Sequence, residues 1–284
     1  MSPKGLFYLI SMLKKLFISL ASLLLSFQMF GQQLDSTKLA PLDSLLQKYY
    51  DAMLFEELPV KYAECDFLIE SCKDSLVRQW VGTRILEHYM QDPPLMGEEA
   101  VALYLYDKWF ASGKIAFADD WTEFQARLFA EFNRSSMLGM KAPVLMMYSQ
   151  NEELTRVPRA GIVSVLYFYD TSCSKCKLIS PVLPHLFDEI SFPVTLFAIY
   201  TGSDAQEWQE FTREFTSANP YVTVVHLSDP EMESDYQKKY GVTSTPKIYF
   251  INPKGVIEGR RLDMDSLSQL IAIYETYSDY AKTK

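Results

Sequence analysis

We predict a chain of two parts, an all-helical segment followed by an α/β domain with a mixed sheet, from three observations. Before residue 140, apolar residues recur at helical spacing, as between Leu42 and Met53. From Val144 onward, β-branched and aromatic runs alternate with helical segments, which indicates a sheet with crossover connections. The sequence NPKG at 252–255 is typical of a hairpin turn, so the sheet is expected to contain antiparallel as well as parallel strands.

The helical segment is expected to form a bundle-like domain at residues 36–140. Pro59 suits the first turn of a helix, and Pro93 with Pro94 suits the end of another. Gly113 and Gly139 follow apolar stripes, where glycine commonly ends a helix. The predicted helices are 42–53, one that begins near Pro59, 76–89, 97–112 and 120–134.

The α/β domain is expected at residues 141–284. Its predicted strands are 162–169, 194–200, 222–227, 247–251 and one that begins at 256. Its predicted helices are 173–190, 205–217, 231–239 and one that begins at 265.

The first 31 residues have the layout of a secretory signal peptide. Lys14 and Lys15 precede an apolar run from Leu16 to Phe27, and the small residue Gly31 follows. The run is shorter than the ~20 residues that span a bilayer, so a permanent anchor is the less favoured alternative. We therefore expect an exported protein of the periplasm or cell envelope, which contacts the membrane only through an uncleaved leader. Both Met1 and Met12 remain candidate start residues.

The charge balance argues against nucleic acid as a partner. The chain carries 27 Lys and Arg against 36 Asp and Glu, a formal net charge of −9. Beyond the leader no cluster of basic residues could release counterions from a phosphate backbone.

A pair of cysteines, Cys173 and Cys176, follows directly on an apolar predicted strand and opens a predicted helix. Unsatisfied N–H groups at the start of a helix favour thiolate over thiol, and the cation of Lys175 is expected to add to this effect. Two intervening residues bring the second sulfur within reach of the first. Cys176 can therefore resolve a mixed disulfide formed at Cys173.

The cysteines admit two other interpretations, a zinc site and a second disulfide. A zinc site needs about four ligands, and the three histidines (His88, His185, His226) do not lie at ligand spacing from the pair, so no metal is expected. Cys65 and Cys72 would lie about 10 Å apart in a continuous helix, beyond the ~7 Å limit for a disulfide. They are expected to be thiols unless the helix breaks between them, for example near Glu70.

The second half of the chain resembles the thioredoxin fold in two segments. The run CSKCKLISPVL at 173–183 is similar to the active-site helix of thioredoxins, including the kinking proline Pro181. The run KYGVTSTP at 239–246 is similar to the segment that carries their cis-proline. Over roughly residues 141–282 the chain resembles exported bacterial thiol-disulfide oxidoreductases of the cytochrome-maturation and envelope type. The helical half resembles poorly characterised domains that precede such modules.

The resemblance implies a cis peptide at Thr245-Pro246, placed against the cysteine pair. The backbone of Thr245 would then contact an extended substrate, and Pro246 would keep metal ligands away from the thiols. Two positions depart from the family pattern: Ser172 stands where thioredoxins have Trp, and Tyr167 stands where they bury a carboxylate. Proton transfer to Cys176 would then need another group or water, for which Asp170 is a candidate.

These observations predict an exported thiol-disulfide oxidoreductase with a redox-active Cys173/Cys176 disulfide and no cofactor. Cys173 is the expected nucleophile and Cys176 the resolving thiol, while Pro246, Thr245 and Lys175 support them. Its partners would be proteins with thiols or disulfides and an unidentified redox partner. The alternative is a non-catalytic thioredoxin-fold module that binds or scaffolds an envelope assembly. The direction of electron flow is left open, because it depends on the reduction potential.

Overall fold

A computed structural model describes residues 36–91 and 93–282, so the expected signal peptide at 1–31 lies outside the described residues. Within the described ranges, every helix is too short or too polar to cross a bilayer. The chain divides into two compact units, the first ending at Ala130 and the second beginning at Glu131. The sequence-based boundary after residue 140 stays a prediction.

The first unit is helical, as the sequence predicts. Its apolar stripes supply the core: Leu46 and Tyr49 of the first helix, and Val81 and Ile85 of the third, are almost completely buried. Its helices are α1 (Ser36–Met53), α2 (Leu58–Ser71), α3 (Ser75–Gln91), α4 (Glu99–Leu105) with a π-helical turn (Tyr106–Phe110), and the start of α5 (Asp120–Asn133).

A buried ion pair lies inside this helical core. The ammonium of Lys61 on α2 binds a carboxylate oxygen of Glu98, and it also donates to the Leu54 carbonyl oxygen at 3.1 Å. Lys61 is 1% exposed and Glu98 is 4% exposed. Charged groups are this deeply buried only when they are paired, so the contact between α2 and the start of α4 depends on both residues.

The second unit contains a seven-stranded mixed sheet, which confirms the predicted fold class. The strands are β1 (Leu145–Ser149), β2 (Leu154–Val157), β3 (Val163–Tyr169), β4 (Val194–Tyr200), β5 (Val222–Ser228), β6 (Lys247–Ile251) and β7 (Ile257–Arg260). The strand order is β2-β1-β5-β4-β3-β6-β7. The central strands β3, β4 and β5 are parallel, and the pairs on either side of them are antiparallel.

The helices of the second unit depart from prediction chiefly in two places, and the helix expected at 205–217 also ends earlier, at Glu214. The single helix expected at 173–190 is wrong: α6 (Ser174–Ile179) ends, and a separate 3₁₀ turn (Leu183–Phe187) follows. Pro181 and Pro184 have no N–H to donate, so a continuous ladder of helical hydrogen bonds cannot pass them. The remaining helices are α7 (Ala205–Glu214), α8 (Tyr236–Tyr240) and α9 (Met264–Lys282).

The start of α8 is the second departure, because the helix expected at 231–239 begins only at Tyr236. The carboxylate of Asp229 accepts the backbone N–H groups of Glu233 (2.9 Å) and Ser234 (2.8 Å). Met232 and Asp235 have positive φ angles of 59° and 60°. These local hydrogen bonds hold the segment as a turn and compete with helix formation.

Strand β3 positions the candidate site. All seven of its residues are buried, because the sheet is covered on both faces. Side chains alternate along a strand, and Tyr167 and Tyr169 accordingly share one apolar cluster with Cys176, whereas Leu166 and Phe168 belong to the cluster on the opposite face. The two tyrosines therefore lie on the same face of the sheet as α6, and the end of β3 places the following turn there.

Candidate active site at the start of helix α6

A short polar turn links β3 to α6 and sets the position of Cys173. One carboxylate oxygen of Asp170 accepts the backbone N–H of Ser172 at 2.7 Å and its hydroxyl at 2.6 Å. The Cys173 N–H donates to the Asp170 carbonyl oxygen at 3.2 Å. Cys173 consequently caps the helix in an extended conformation, and its sulfur accepts the backbone N–H of Cys176 at 3.3 Å.

The two thiols of the pair differ in burial and in acidity. Cys173 is half-buried, whereas Cys176 is 1% exposed. Burial raises the pKa of Cys173, but hydrogen bonds from the side chains of Cys176 and Thr245 and from backbone N–H groups outweigh it, so the pKa lies below the ordinary thiol value. For Cys176, burial and the hydrogen bond to Cys173 raise the pKa to about 11. At neutral pH the accessible sulfur is therefore the better nucleophile.

Thr245 and Pro246 lie against this pair, although they are some seventy residues away in sequence. The Thr245-Pro246 peptide is cis. The Cys173 thiol donates to the Thr245 carbonyl oxygen at 3.2 Å, and the Thr245 side chain is among the groups that counteract the effect of burial on the pKa of both thiols. Pairing of β3 with β6 brings the segments together, since Phe168 is the register partner of Lys247. The structure thus gathers Cys173, Cys176, Thr245 and Pro246 in one place.

Lys175 is exposed, and it acts on Cys173 through its main chain. Its backbone N–H is among the donors that lower the pKa of the Cys173 thiol. The pKa of Lys247, the residue that follows Pro246, is lowered by burial first, then by the charge of Arg261, and then by the Lys175 ammonium. The tuning of the thiolate by the Lys175 ammonium stays a prediction, because every residue other than proline would supply the same backbone N–H.

Tyr167, and not the Asp170 carboxylate, lies beneath Cys176. The Asp170 carboxylate is occupied by Ser172, and only the Asp170 backbone bonds to the Cys176 thiol. The Tyr167 hydroxyl lies 2.8 Å from the Ser180 hydroxyl and 3.5 Å from the Cys176 carbonyl oxygen. Sequence reasoning missed Ser180, whose signal is its spacing of four residues from Cys176, one helical turn along the same face.

Ser180 also borders an open cleft of about 830 Å³ beside α6. Its walls come from the 3₁₀ turn, the end of α7 and the loop before β5. The residues that line it include Ser180, Pro181, His185, Phe211, Phe215 and Tyr221. The cleft gives the buried face of α6 a route to solvent separate from the Cys173 surface.

The remaining cysteines are buried free thiols in the helical unit, and among the described residues no cluster of potential ligands could hold a metal ion. Burial raises the pKa of Cys65 to about 12 and that of Cys72 to about 11. Cys72 follows the last residue of α2, and its thiol donates to the Leu68 carbonyl oxygen at 3.3 Å. Both side chains fill the core as small apolar groups.

Replacing Thr245 with valine tests the contribution of its hydroxyl to the lowered pKa of Cys173, because Thr245→Val keeps the shape and the carbonyl and removes the hydroxyl. A hydrogen bond to a charged group is worth about 1.5–3 kcal/mol, so we expect Cys173 to react about tenfold more slowly with a small aromatic disulfide at neutral pH. Stopped-flow absorbance measures the rate. Thr243→Val changes an exposed neighbour and is the control. Equal rates for the two variants would refute a role for the hydroxyl.

Comparison with known proteins identifies the fold of the second unit. Residues 161–257 match a family model described as thioredoxin-like. Sporulation thiol-disulfide oxidoreductase A of Bacillus subtilis (strain 168) is 22% identical over 129 residues, which cover 45% of this chain and 76% of that protein. The crystal structure of a thioredoxin-like protein from Bacteroides caccae ATCC 43185 superposes with a TM-score of 0.64 at 14% identity, covering 84% of this chain and 87% of that one. The second unit therefore has a thioredoxin-like fold, and residues 161–257 within it are similar to the thioredoxin-like family model.

Proposed function

We propose that this protein is an exported thiol-disulfide oxidoreductase that exchanges disulfides with protein substrates through Cys173 and Cys176. One observation carries the proposal: the accessible Cys173 thiol has a lowered pKa and accepts the backbone N–H of Cys176, whose own buried thiol has a raised pKa, and the Cys173 thiol also contacts the Thr245 carbonyl oxygen. Such an asymmetric pair separates the attacking sulfur from the resolving sulfur. The similarity to a bacterial protein named as a thiol-disulfide oxidoreductase supports the same chemistry.

The reaction would proceed in two exchanges. The Cys173 thiolate attacks one sulfur of a substrate disulfide, that S–S bond breaks, and the other substrate sulfur leaves as a thiolate. Cys176 then loses its proton and attacks the Cys173 sulfur. The bond between Cys173 and the substrate breaks, the second substrate thiolate leaves, and a Cys173–Cys176 disulfide forms. The substrate gains the two electrons that the cysteine pair loses, and the reduction potential of the pair decides whether this direction or its reverse prevails.

Two features support the proposed setting and partner. The basic and apolar leader before residue 32 supports export to the periplasm or envelope. The proximity of the Thr245 carbonyl oxygen to the Cys173 thiol supports docking of an extended substrate segment along Thr245, where backbone hydrogen bonds would align its disulfide. The partner in this proposal is a protein with a solvent-accessible disulfide or dithiol.

The test is a pair of substitutions at the two cysteines. Cys173→Ser should reduce insulin disulfides, in the presence of dithiothreitol, no faster than the reductant alone, because serine cannot form the mixed disulfide. Cys176→Ala should keep the first exchange and accumulate a covalent complex that excess reductant releases. Circular dichroism and melting curves verify that both variants are folded.

Undiminished insulin reduction by Cys173→Ser would rule out the proposed function. A variant that lacks both cysteines distinguishes an oxidoreductase from a scaffold. If the protein is an oxidoreductase, this variant no longer retains its partners. If the protein is a docking module, the variant still binds them.

A further inference from the structure

The hydroxyl groups of Tyr167 and Ser180 lie beneath the buried Cys176, on the side away from the surface that carries Cys173. The Tyr167 hydroxyl lies 3.5 Å from the Cys176 carbonyl oxygen and 2.8 Å from the Ser180 hydroxyl, and burial together with the neighbouring Cys176 thiol raises the pKa of Tyr167. Tyr167 is completely buried, and its ring is stacked on Tyr169 (5.4 Å between ring centroids) and Phe215 (5.8 Å). The surrounding aromatic rings therefore hold the hydroxyl in one position.

Resolution of a mixed disulfide requires Cys176 to lose its proton at a site closed to water. A substrate bound at Cys173 covers the exposed side of the pair, and Cys176 itself is 1% exposed. The carboxylate that lies nearest in sequence, Asp170, is held by Ser172. A hydroxyl can accept one proton while it donates another. Two connected hydroxyls can therefore pass a proton along while each of them ends the step neutral.

The far end of this pair reaches solvent. Ser180 is partly exposed and forms part of the wall of the 830 Å³ cleft beside α6. The order of groups is thus the Cys176 thiol, the Tyr167 hydroxyl, the Ser180 hydroxyl and the cleft. Water in the cleft can take up a proton there while the substrate still covers Cys173.

We propose that Tyr167 and Ser180 form a proton relay that carries the proton of Cys176 to the cleft during resolution, an inference that rests on the proposed function. The Cys176 proton moves to the Tyr167 oxygen, the Tyr167 proton moves to the Ser180 oxygen, and the Ser180 proton moves to water. The resulting Cys176 thiolate attacks the Cys173 sulfur, and the substrate sulfur leaves with its electron pair. Both hydroxyls end the step neutral, and no further oxidant or reductant is needed.

The test separates the two exchanges with DTNB, an aromatic disulfide whose two halves are released one after the other as coloured thiolates. The first release reports attack by Cys173, and the second reports resolution by Cys176. Tyr167→Phe keeps the stacked ring and removes the hydroxyl. We expect it to slow the second release about tenfold or more and to leave the first within about twofold, given the usual size of general acid-base effects. Ser180→Ala should also slow the second release.

Tyr169→Phe is the matched control, because Tyr169 lies on the same face of β3 and its hydroxyl neighbours Trp208. It should change neither release. The second release should also slow in D₂O, and this isotope effect should change in Tyr167→Phe, which a merely structural role would not produce.

Equal second-release rates in Tyr167→Phe and Tyr169→Phe would overturn the relay. An unaltered rate in Ser180→Ala would overturn its route to the cleft, and absence of the first release in the unsubstituted protein would instead contradict the proposed function.

Discussion

At neutral pH, iodoacetamide should alkylate Cys173 about a hundredfold or more faster than any other cysteine of the reduced protein. The thiolate is the reacting species, and hydrogen bonds lower the pKa of Cys173 below that of an ordinary thiol. Burial raises the pKa of Cys176 to about 11, of Cys65 to about 12 and of Cys72 to about 11. At pH 7 a thiol with a pKa of 11 is a thiolate for only about one part in ten thousand.

The pH dependence of labelling follows from the same shifts. A thiol becomes reactive as the pH rises through its pKa, so labelling of Cys173 should level off at a lower pH than labelling of a free cysteine. Labelling of Cys176 should still be rising at pH 10. Intact-mass measurements at timed intervals count the labels, and one fast label is expected.

Cys173→Ser identifies the fast label, because its removal should leave only slow reactions. Persistence of a fast label in that variant would mean that another cysteine is the reactive one. A labelling rate of Cys173 that matches free cysteine at every pH would show that the hydrogen bonds of the site do not stabilise its thiolate.

The sheet was the most predictable part of the fold, because several of its strands are marked by local composition. The predicted bounds of β4 (Val194–Tyr200) and β6 (Lys247–Ile251) agree with the structure residue for residue. Both runs consist mainly of β-branched and aromatic residues, and polar or turn-forming residues lie next to them. The β1–β2 hairpin was not predicted, since β1 reads LMMYS and contains no β-branched residue.

The candidate site was predictable only in its local part. The spacing of Cys173 and Cys176 and their place after a strand can be read from adjacent residues. The approach of Thr245 cannot, because it depends on β6 pairing with β3 rather than with another strand, and only resemblance to a known family supplied that order. The partners of Asp170 and Tyr167 were likewise inaccessible, because they depend on which way each side chain turns after the backbone is set.

The helical unit contains the contact whose loss should cost the most stability, the buried pair of Lys61 and Glu98. Lys61→Met removes one charge and leaves the Glu98 carboxylate inside the core without its cation. Removing one partner of a buried pair typically destabilises a protein by about 3–5 kcal/mol, so we expect a loss of this size in the free energy of unfolding. Urea unfolding followed by tryptophan fluorescence reports chiefly on this unit, because Trp80, Trp109 and Trp121 precede Ala130 and only Trp208 follows it.

Arg84 and Asp43 provide the matched control in the same unit. Their ion pair is 3.3 Å long and both side chains are 47% exposed, so Arg84→Met should cost less than about 1 kcal/mol. The double variant Lys61→Met with Glu98→Met should regain much of the stability lost in Lys61→Met, because it buries no charge at all.

If Lys61→Met is no more destabilising than Arg84→Met, the buried pair does not hold α2 against the start of α4. If the double variant is less stable than the single one, the cost lies in packing of the two side chains rather than in an unpaired carboxylate.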